Sequence, residues 1–325
     1  MSNKLFPDEF YRIVEDIKTM KIRGAAEIAI AAVKDLVIAS DSITTNDVDE
    51  YFRLVKKAAK ILVDTRPTAV SLPNGLRFIL NRLIQDYKRG VNEVSSFKEK
   101  LRSYANEFIE SAKNARKLIG MYGAGRIEDG DVILTHCNSG TALEVIITAF
   151  RQGKNIKVIA TETRPRYQGR ITAEVLDKVG IETTLIVDSA VRYFMNKVDK
   201  VIVGADAIAA NGAVVNKIGT SLIALAAHES SVPFMVAAET FKFSPDTLFG
   251  RLIEIEEREY TEVVPKEWLE KLKYVKIRNP AFDVTPPEYI DAIITELGVF
   301  SPAVYPFIIR ERFGIFYMEL EPWKD

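Results

Sequence analysis

Apolar and polar residues follow one rhythm before about residue 126 and another after it. In the first stretch the apolar positions recur every three or four residues, the period of a helix with one buried face. Arg23 to Ile38 repeats small and apolar residues at that spacing, and Asn46 to Val63 sets Val48, Phe52, Val55, Ala59 and Leu62 on one side. Ser96-Phe-Lys-Glu99 has the form of a capping box. Behind it Phe97, Leu101, Tyr104, Phe108, Ala112, Ala115, Ile119 and Tyr122 keep the same spacing, which predicts a helix of about seven turns.

Met121 to Gly130 carries three glycines and is the expected hinge or domain boundary. Beyond it, short apolar runs at Val132–Leu134, Val158–Ala160, Thr184–Val187, Val201–Val203 and Phe234–Ala237 alternate with helical segments at Ala142–Phe150, Ala173–Lys178, Val191–Asn196 and Ser221–Glu229. That alternation predicts an α/β chain: a helical domain over residues 1–126, then a Rossmann-like, doubly wound parallel sheet over residues 127–325. The length of 325 residues, more than one hydrophobic core usually serves, agrees with two domains.

Charge narrows the partners. With 44 basic and 45 acidic side chains the formal charge is −1, so no global field draws the chain to nucleic acid or an anionic membrane. No apolar run reaches the roughly 18–20 residues that span a bilayer, and Met1-Ser-Asn-Lys-Leu-Phe-Pro lacks the apolar core of a signal peptide; the expectation is a cytoplasmic protein. One cysteine, Cys137, forms no internal disulfide. With His136 and the distant His228 it makes no recognisable zinc spacing, so no structural metal is expected.

Candidate chemistry gathers in Val132-Ile-Leu-Thr-His-Cys-Asn-Ser-Gly-Thr-Ala-Leu-Glu144, where a strand runs into a helix. The turn's backbone N–H groups can cradle an anion, and the helix N-terminus is expected to lower the Cys137 thiol pKa. Ligands in doubly wound sheets lie outside the carboxyl ends of the strands. That rule selects Cys137 with Ser139, Gly140 and Thr141, then Glu162 to Arg166, then Gly204-Ala-Asp206, and Lys242 beyond the last run; Asn216 and Lys217 stand at a further turn opening a helix. In the helical half, Arg23-Gly-Ala-Ala26 and Thr65-Arg-Pro-Thr-Ala-Val70 each put an arginine at a break. Gly24 leaves room for close approach, a helix starting at Ala25 presents free N–H groups, and Arg66 can clamp a phosphate. Each has a plainer reading: Arg23 and Arg66 as solvated helix ends, Cys137 as a small buried hydrophobe, Asp206 as a helix cap, His136 as a packed strand residue. Spacing alone leaves these open.

Taken in order, Arg23-Gly-Ala-Ala26, Arg66-Pro-Thr-Ala-Val70, His136-Cys-Asn-Ser-Gly-Thr141, Glu162-Thr-Arg-Pro165, Gly204-Ala-Asp206, Asn216-Lys-Ile-Gly-Thr220 and Asn279-Pro-Ala-Phe-Asp-Val-Thr-Pro-Pro-Glu-Tyr289 resemble the aldose-phosphate isomerases related to the regulatory subunits of translation initiation factor 2B. Within them the chain is most similar to the archaeal ribose 1,5-bisphosphate isomerases. The sister methylthioribose-1-phosphate isomerases usually have proline where this chain has Ala26. The resemblance implies Cys137 as proton acceptor and Asp206 as proton donor. It further implies that Arg23, Gly24, Ala25, Ala26, Arg66, Ser139, Gly140, Thr141, Asn216, Lys217 and Lys242 bind a sugar bisphosphate in nucleotide salvage. Neither proton transfer nor a hydride shift needs a redox cofactor, and no Gly-x-Gly-x-x-Gly turn is present, so no cofactor is expected. A regulatory sensor is the rival reading; it would need the phosphate ligands but not a poised thiol and carboxyl. The resemblance also implies AMP as an activator and a homohexamer built as a trimer of dimers. The apolar run Phe300-Ser-Pro-Ala-Val-Tyr-Pro-Phe-Ile-Ile309, whose prolines are expected to exclude a regular helix or central strand, is the expected subunit contact.

Overall fold

The computed structural model describes residues 4–22, 24–66, 69–313 and 319–324. Two compact units result. The first comprises Met1–Asn114, Phe241–Asp246 and Arg310–Asp325, and the second Ala115–Thr240 and Thr247–Ile309.

The first unit holds helices α1 (Asp8–Lys18), α2 (Ala25–Ser42), α3 (Val48–Thr65), α4 (Ser71–Lys88) and most of α5 (Val94–Ala124). The predicted faces are the buried ones: Val55, Ala59 and Leu62 of α3 pack with Leu36, Leu76 and Phe97. Asp47 caps α3 by accepting from the N–H groups of Asp49 and Glu50 at 2.9 and 3.1 Å, satisfying donors that a helix start leaves unpaired. The expected capping box at Ser96 does not act as a cap, because α5 starts at Val94 and Ser96 lies in its first turn. One oddity is Asp35, on α2. It has no exposed surface, neither carboxylate oxygen finds a hydrogen bond, and burial, with Glu9 adding, pushes its pKa up to about 8.

The packing draws its line differently from a single cut between residues 126 and 127. Asn74 Nδ2 donates to the carbonyls of Phe241 and Phe243 at 2.6 and 2.7 Å, Arg77 pairs with Asp246 at 3.1 Å, and Phe241 meets Phe108 with ring centroids 5.6 Å apart. These contacts, all distant in sequence, place residues 241–246 with the helices. The glycine-rich stretch is not a hinge at its start, since α5 continues to Ala124. A Cβ on Gly123 would lie 2.5 Å from Val145, and one on Gly120 2.7 Å from Glu144, so these glycines admit a closely packed neighbouring helix.

In the second unit the strands are β1 (Val132–Thr135), β2 (Lys157–Thr161), β3 (Glu182–Ile186), β4 (Lys200–Val203), β5 (Ala207–Ile208), β6 (Val214–Lys217), β7 (Phe234–Ala237), β8 (Phe282–Thr285), β9 (Ala292–Thr295) and β10 (Gly298–Phe300). Seven form one sheet in the order β10-β9-β7-β4-β1-β2-β3, parallel except for the β10 edge. Helices α6 (Gly140–Arg151), α7 (Gln168–Val179), α8 (Val191–Phe194) and α9 (Thr220–Glu229) fall between strands, as the doubly wound pattern requires; α10 is Lys266–Leu269. A small antiparallel sheet, β5-β6-β8, was not legible: β5 has two residues, and β6 pairs with β8 far along the chain. The C-terminal run is also regular after all. Phe300 ends β10, and α11 (Tyr305–Phe313) holds Pro306 in its first turn, where a missing N–H costs nothing. Tyr305 and Ile309 are buried within it, while Val304 and Phe307 stay exposed.

Candidate active site

The sheet order places a topological switch between β1 and β4: from β1 the chain winds outward through β2 and β3, then returns to the other side of β1. Crevices open at such points. Cys137 follows β1 and Asp206 follows β4, so the switch brings the two predicted reactive groups to the same end of neighbouring strands. Gly204 fits them together, since a Cβ there would lie 2.6 Å from the Ser139 Cβ and strike its hydroxyl.

Ser139 caps α6, its hydroxyl accepting from Ala142 N–H at 3.2 Å. Thr141, in the first turn, donates to Glu239 Oε1 at 2.9 Å. Cys137 lies two residues ahead of that cap in a left-handed conformation, φ 66°. Its N–H donates to Thr163 Oγ1 at 2.9 Å, its carbonyl accepts from Thr172 at 2.8 Å, and its thiol donates to Gln168 Oε1 at 3.6 Å. The expected low thiol pKa is overturned here. Burial pushes the thiol up to about 11; Lys217, the Asn138 N–H and Arg258 pull it down, while Asp206 adds to the rise. Desolvation outweighs the groups that pull the thiol down.

His136 is the packed strand residue expected of it, and it also ties the site together. Its Nε2 lies 2.9 Å from the Ile218 carbonyl, which can only accept, so Nε2 carries the proton and Nδ1 accepts from Thr161 Oγ1 at 2.5 Å. Burial lowers its pKa and keeps the ring neutral. The link joins the Cys137 turn to the end of β6, where Asn216 and Lys217 are buried strand residues rather than turn residues. Asn216 Nδ2 donates to Thr220 Oγ1 at 3.0 Å, and Lys217 Nζ donates to the Ala281 carbonyl at 3.1 Å. Asp283, on β8, accepts from Gly219 N–H at 2.7 Å and Ser221 N–H at 3.2 Å, holding the start of α9. Burial pushes its pKa up to about 6, against those N–H groups and Lys217.

Beside the thiol a small cleft is lined by Arg164, Arg166, Gln168, Lys217, Arg258 and Glu262, among others. The Arg164–Pro165 peptide is cis. Arg258 was missed by the sequence reading because residues 251–281 carry no periodic pattern that would flag one basic residue over another.

The other predicted ligands belong to the first unit. Gly24 is the N-cap of α2 with φ 89°, so the helix does begin at Ala25, followed by Ala26; but the Glu27 carboxylate reaches back over Gly24. Arg66 is the C-cap of α3, and Lys242 is buried at the end of a 3₁₀ turn. Arg23 lies outside the described residues.

The sequence profile of the initiation factor 2 subunit family matches residues 21–302. The chain belongs to the initiation factor 2 subunit family. It is 50% identical over 318 residues to the ribose 1,5-bisphosphate isomerase of Thermococcus kodakarensis, covering 98% of each chain. To the methylthioribose-1-phosphate isomerase of Thermosipho africanus it is 42% identical over 298 residues, covering 88% of this chain and 85% of that one. The solved structure of the translation initiation factor eIF-2B of Pyrococcus horikoshii OT3 superposes with a TM-score of 0.76 at 35% identity, covering 91% of this chain and 98% of that one. The relatives of this chain thus carry two kinds of isomerase name and a translation-factor name. Among the described residues no cluster of three or more His, Cys, Asp or Glu could hold a metal, and no helix is long and apolar enough to cross a membrane.

Proposed function

We propose that this protein is an aldose–ketose isomerase that converts ribose 1,5-bisphosphate to ribulose 1,5-bisphosphate. The observation that carries the reading is the pairing of a thiol and a carboxyl group at the switch point, in a chain 50% identical across its length to a ribose 1,5-bisphosphate isomerase and 42% identical to the methylthioribose-1-phosphate enzyme. A sensor of sugar phosphates would have no use for that pair.

Phosphorylation at C1 leaves no hydroxyl there, so the ring cannot open by losing a proton at that carbon. Asp206 gives its proton to the ring oxygen as the bond from C1 to that oxygen breaks, leaving an electron-poor C1. Cys137 takes the proton from C2, forming an enol phosphate, and returns it to C1. The Asp206 carboxylate recovers a proton from the C2 hydroxyl as the ketone forms, so the acid is regenerated. Ser139, Gly140 and Thr141 at the start of α6 with Asn216 and Lys217, and Gly24, Ala25, Ala26, Arg66, Lys242 and Arg23 of the helical part, are the proposed substrate ligands. A second route is favoured by the raised thiol pKa: a hydride shift from C2 to C1 needs no thiolate.

The finer reading adds a cytoplasmic role in nucleotide salvage, AMP as activator, and a trimer of dimers with Val304 and Phe307 in an apolar subunit contact. Light scattering should give several times the mass of the 36.5 kDa chain; a monomer mass refutes the assembly. Separate incubations with ribose 1,5-bisphosphate and methylthioribose 1-phosphate test the function. Ketose should form from the first only, and Cys137→Ser and Asp206→Asn should each abolish turnover while leaving substrate binding intact. No ketose from either sugar would leave the sensor reading.

A further inference from the structure

Cys137 is held in a backbone conformation that needs support from its surroundings. Its φ of 66° is left-handed, a region that a residue with a side chain enters at a cost. Thr163, whose hydroxyl accepts from the Cys137 N–H at 2.9 Å, is left-handed too, with φ 61°. A β-branched residue is poorly suited to such a φ, so the Thr163 turn needs a clamp of its own. Asp188 supplies one. The β2–β3 ladder ends where Thr161 pairs with Ile186. Two residues further along each segment, the Asp188 carboxylate accepts from the Thr163 N–H at 2.8 Å and from the Arg164 N–H at 2.7 Å. It serves two donors that lie past the end of the strand pairing, and Thr163 is only 1% exposed, so water does not replace it there.

We propose that Asp188 is a positioning residue for Cys137, acting through Thr163: the carboxylate fixes the Thr163 backbone, and the Thr163 hydroxyl fixes the backbone of Cys137. The bonds of Asp188 go to N–H groups of the turn after β2, not to the thiol, which donates to Gln168. Thr172, on α7, holds the Cys137 carbonyl at 2.8 Å, so the carbonyl side has its own anchor and the N–H side depends on Thr163. The link is mechanical. At His136, burial lowers the pKa and the Asp188 charge opposes that shift, so losing the charge leaves the ring neutral as before. The effect on turnover rests on the isomerase reading; the effect on where the thiol sits does not.

Cys137 is the only cysteine in the chain, so the loss of free thiol during reaction of the full chain with iodoacetamide reads this residue and no other. Asp188→Asn sets an amide N–H against one of the two backbone N–H groups it has to accept from, whereas Thr163→Val removes the hydroxyl and leaves the Asp188 bonds in place. Each should raise the alkylation rate at pH 8 by about tenfold or more, as the turn relaxes and the sulfur leaves the burial that pushes its pKa up. Each should also lower kcat for ribose 1,5-bisphosphate by about tenfold with a smaller change in KM, the mark of a misplaced reacting group rather than a lost ligand. The double variant should go no further than the larger single one, since both break the same chain of contacts. Thr163→Ser, which keeps the hydroxyl, should retain parental alkylation and kcat. Glu182→Gln, an exposed carboxylate on β3 paired with Lys157, should change neither. If Asp188→Asn fails to fold, the comparison of Thr163→Val with Thr163→Ser carries the test at the Cys137 N–H, and Asp188→Glu, which keeps the charge at a different reach, carries it at the carboxylate. Parental alkylation rates in every variant that alters Asp188 or removes the Thr163 hydroxyl overturn the proposal, whatever the ketose assay gives. A parent chain that forms no ketose while these variants expose the thiol refutes the isomerase reading and leaves the positioning role standing.

Discussion

The protonation state of Cys137 decides between the two isomerisation routes, and pH is the perturbation that reads it. With the thiol at about 11, four pH units above neutrality, only about one molecule in ten thousand carries the thiolate at pH 7, a handicap of about 5 kcal/mol for a base that must be ionised before it acts. If Cys137 takes the C2 proton, kcat/KM should climb about tenfold per pH unit from pH 7 upward. The climb should not run all the way to 11, because burial lowers the Lys217 pKa and the loss of its charge withdraws the pull on the thiol and, on the proposed reading, a substrate ligand. A rise followed by a bend is therefore the expected shape. Lys217→Gln should remove the bend, move the rise to higher pH, and slow the reaction at pH 8. The assay is initial-rate ketose formation across pH 7 to 10, with tight-binding conditions checked at each end. A profile flat between pH 7 and 8.5 refutes the thiolate base and selects the hydride shift.

Asp35 yields a stability prediction of opposite slope. Its folded pKa of about 8 lies above the unfolded 3.8, so the folded chain holds a proton the unfolded one releases, and stability falls as pH rises through that window and levels above 8. At pH 7 the cost is at most about 4.5 kcal/mol, the 3.2-unit gap at about 1.4 kcal/mol each; Asp35→Leu should recover much of it, and denaturant melts showing no pH-dependent gap between parent and variant between pH 5 and 9 would sink the reasoning. Gly204→Ala drives a methyl into Ser139 at the head of α6 and should lower kcat/KM by about tenfold or more with a smaller loss of stability; a variant with parental kinetics would mean that the α6 start does not touch the reaction.

Much of this was open to reading from the chain because the physics is local. The faces of α2 and α3 follow a 3.6-residue period, the first strands are apolar runs of the right length, and the strand-end rule put Cys137 and Asp206 on one rim. What escaped depends on partners far away in sequence. Lys217 reads as a turn residue until β8 pairs with β6, and Asp283 has no visible purpose until Gly219 and Ser221 come to it. The lowered thiol pKa failed for a different reason: a helix start is visible in sequence, but the depth of the sulfur is not. Pro306 misled because a proline forbidden inside a helix is harmless in its first turn.

The switch between β1 and β4 separates two things that enzymes often entangle. Cys137 and Asp206 follow adjacent central strands, whose spacing the backbone ladder holds, whereas the cationic wall hangs partly from the aperiodic stretch 251–281 and from the turn after β2. Insertions or exchanges in those outer segments can reshape the wall without moving Cys137 and Asp206. One scaffold can therefore keep the same thiol and carboxyl pair while its outer wall changes, or lose the pair and keep the wall.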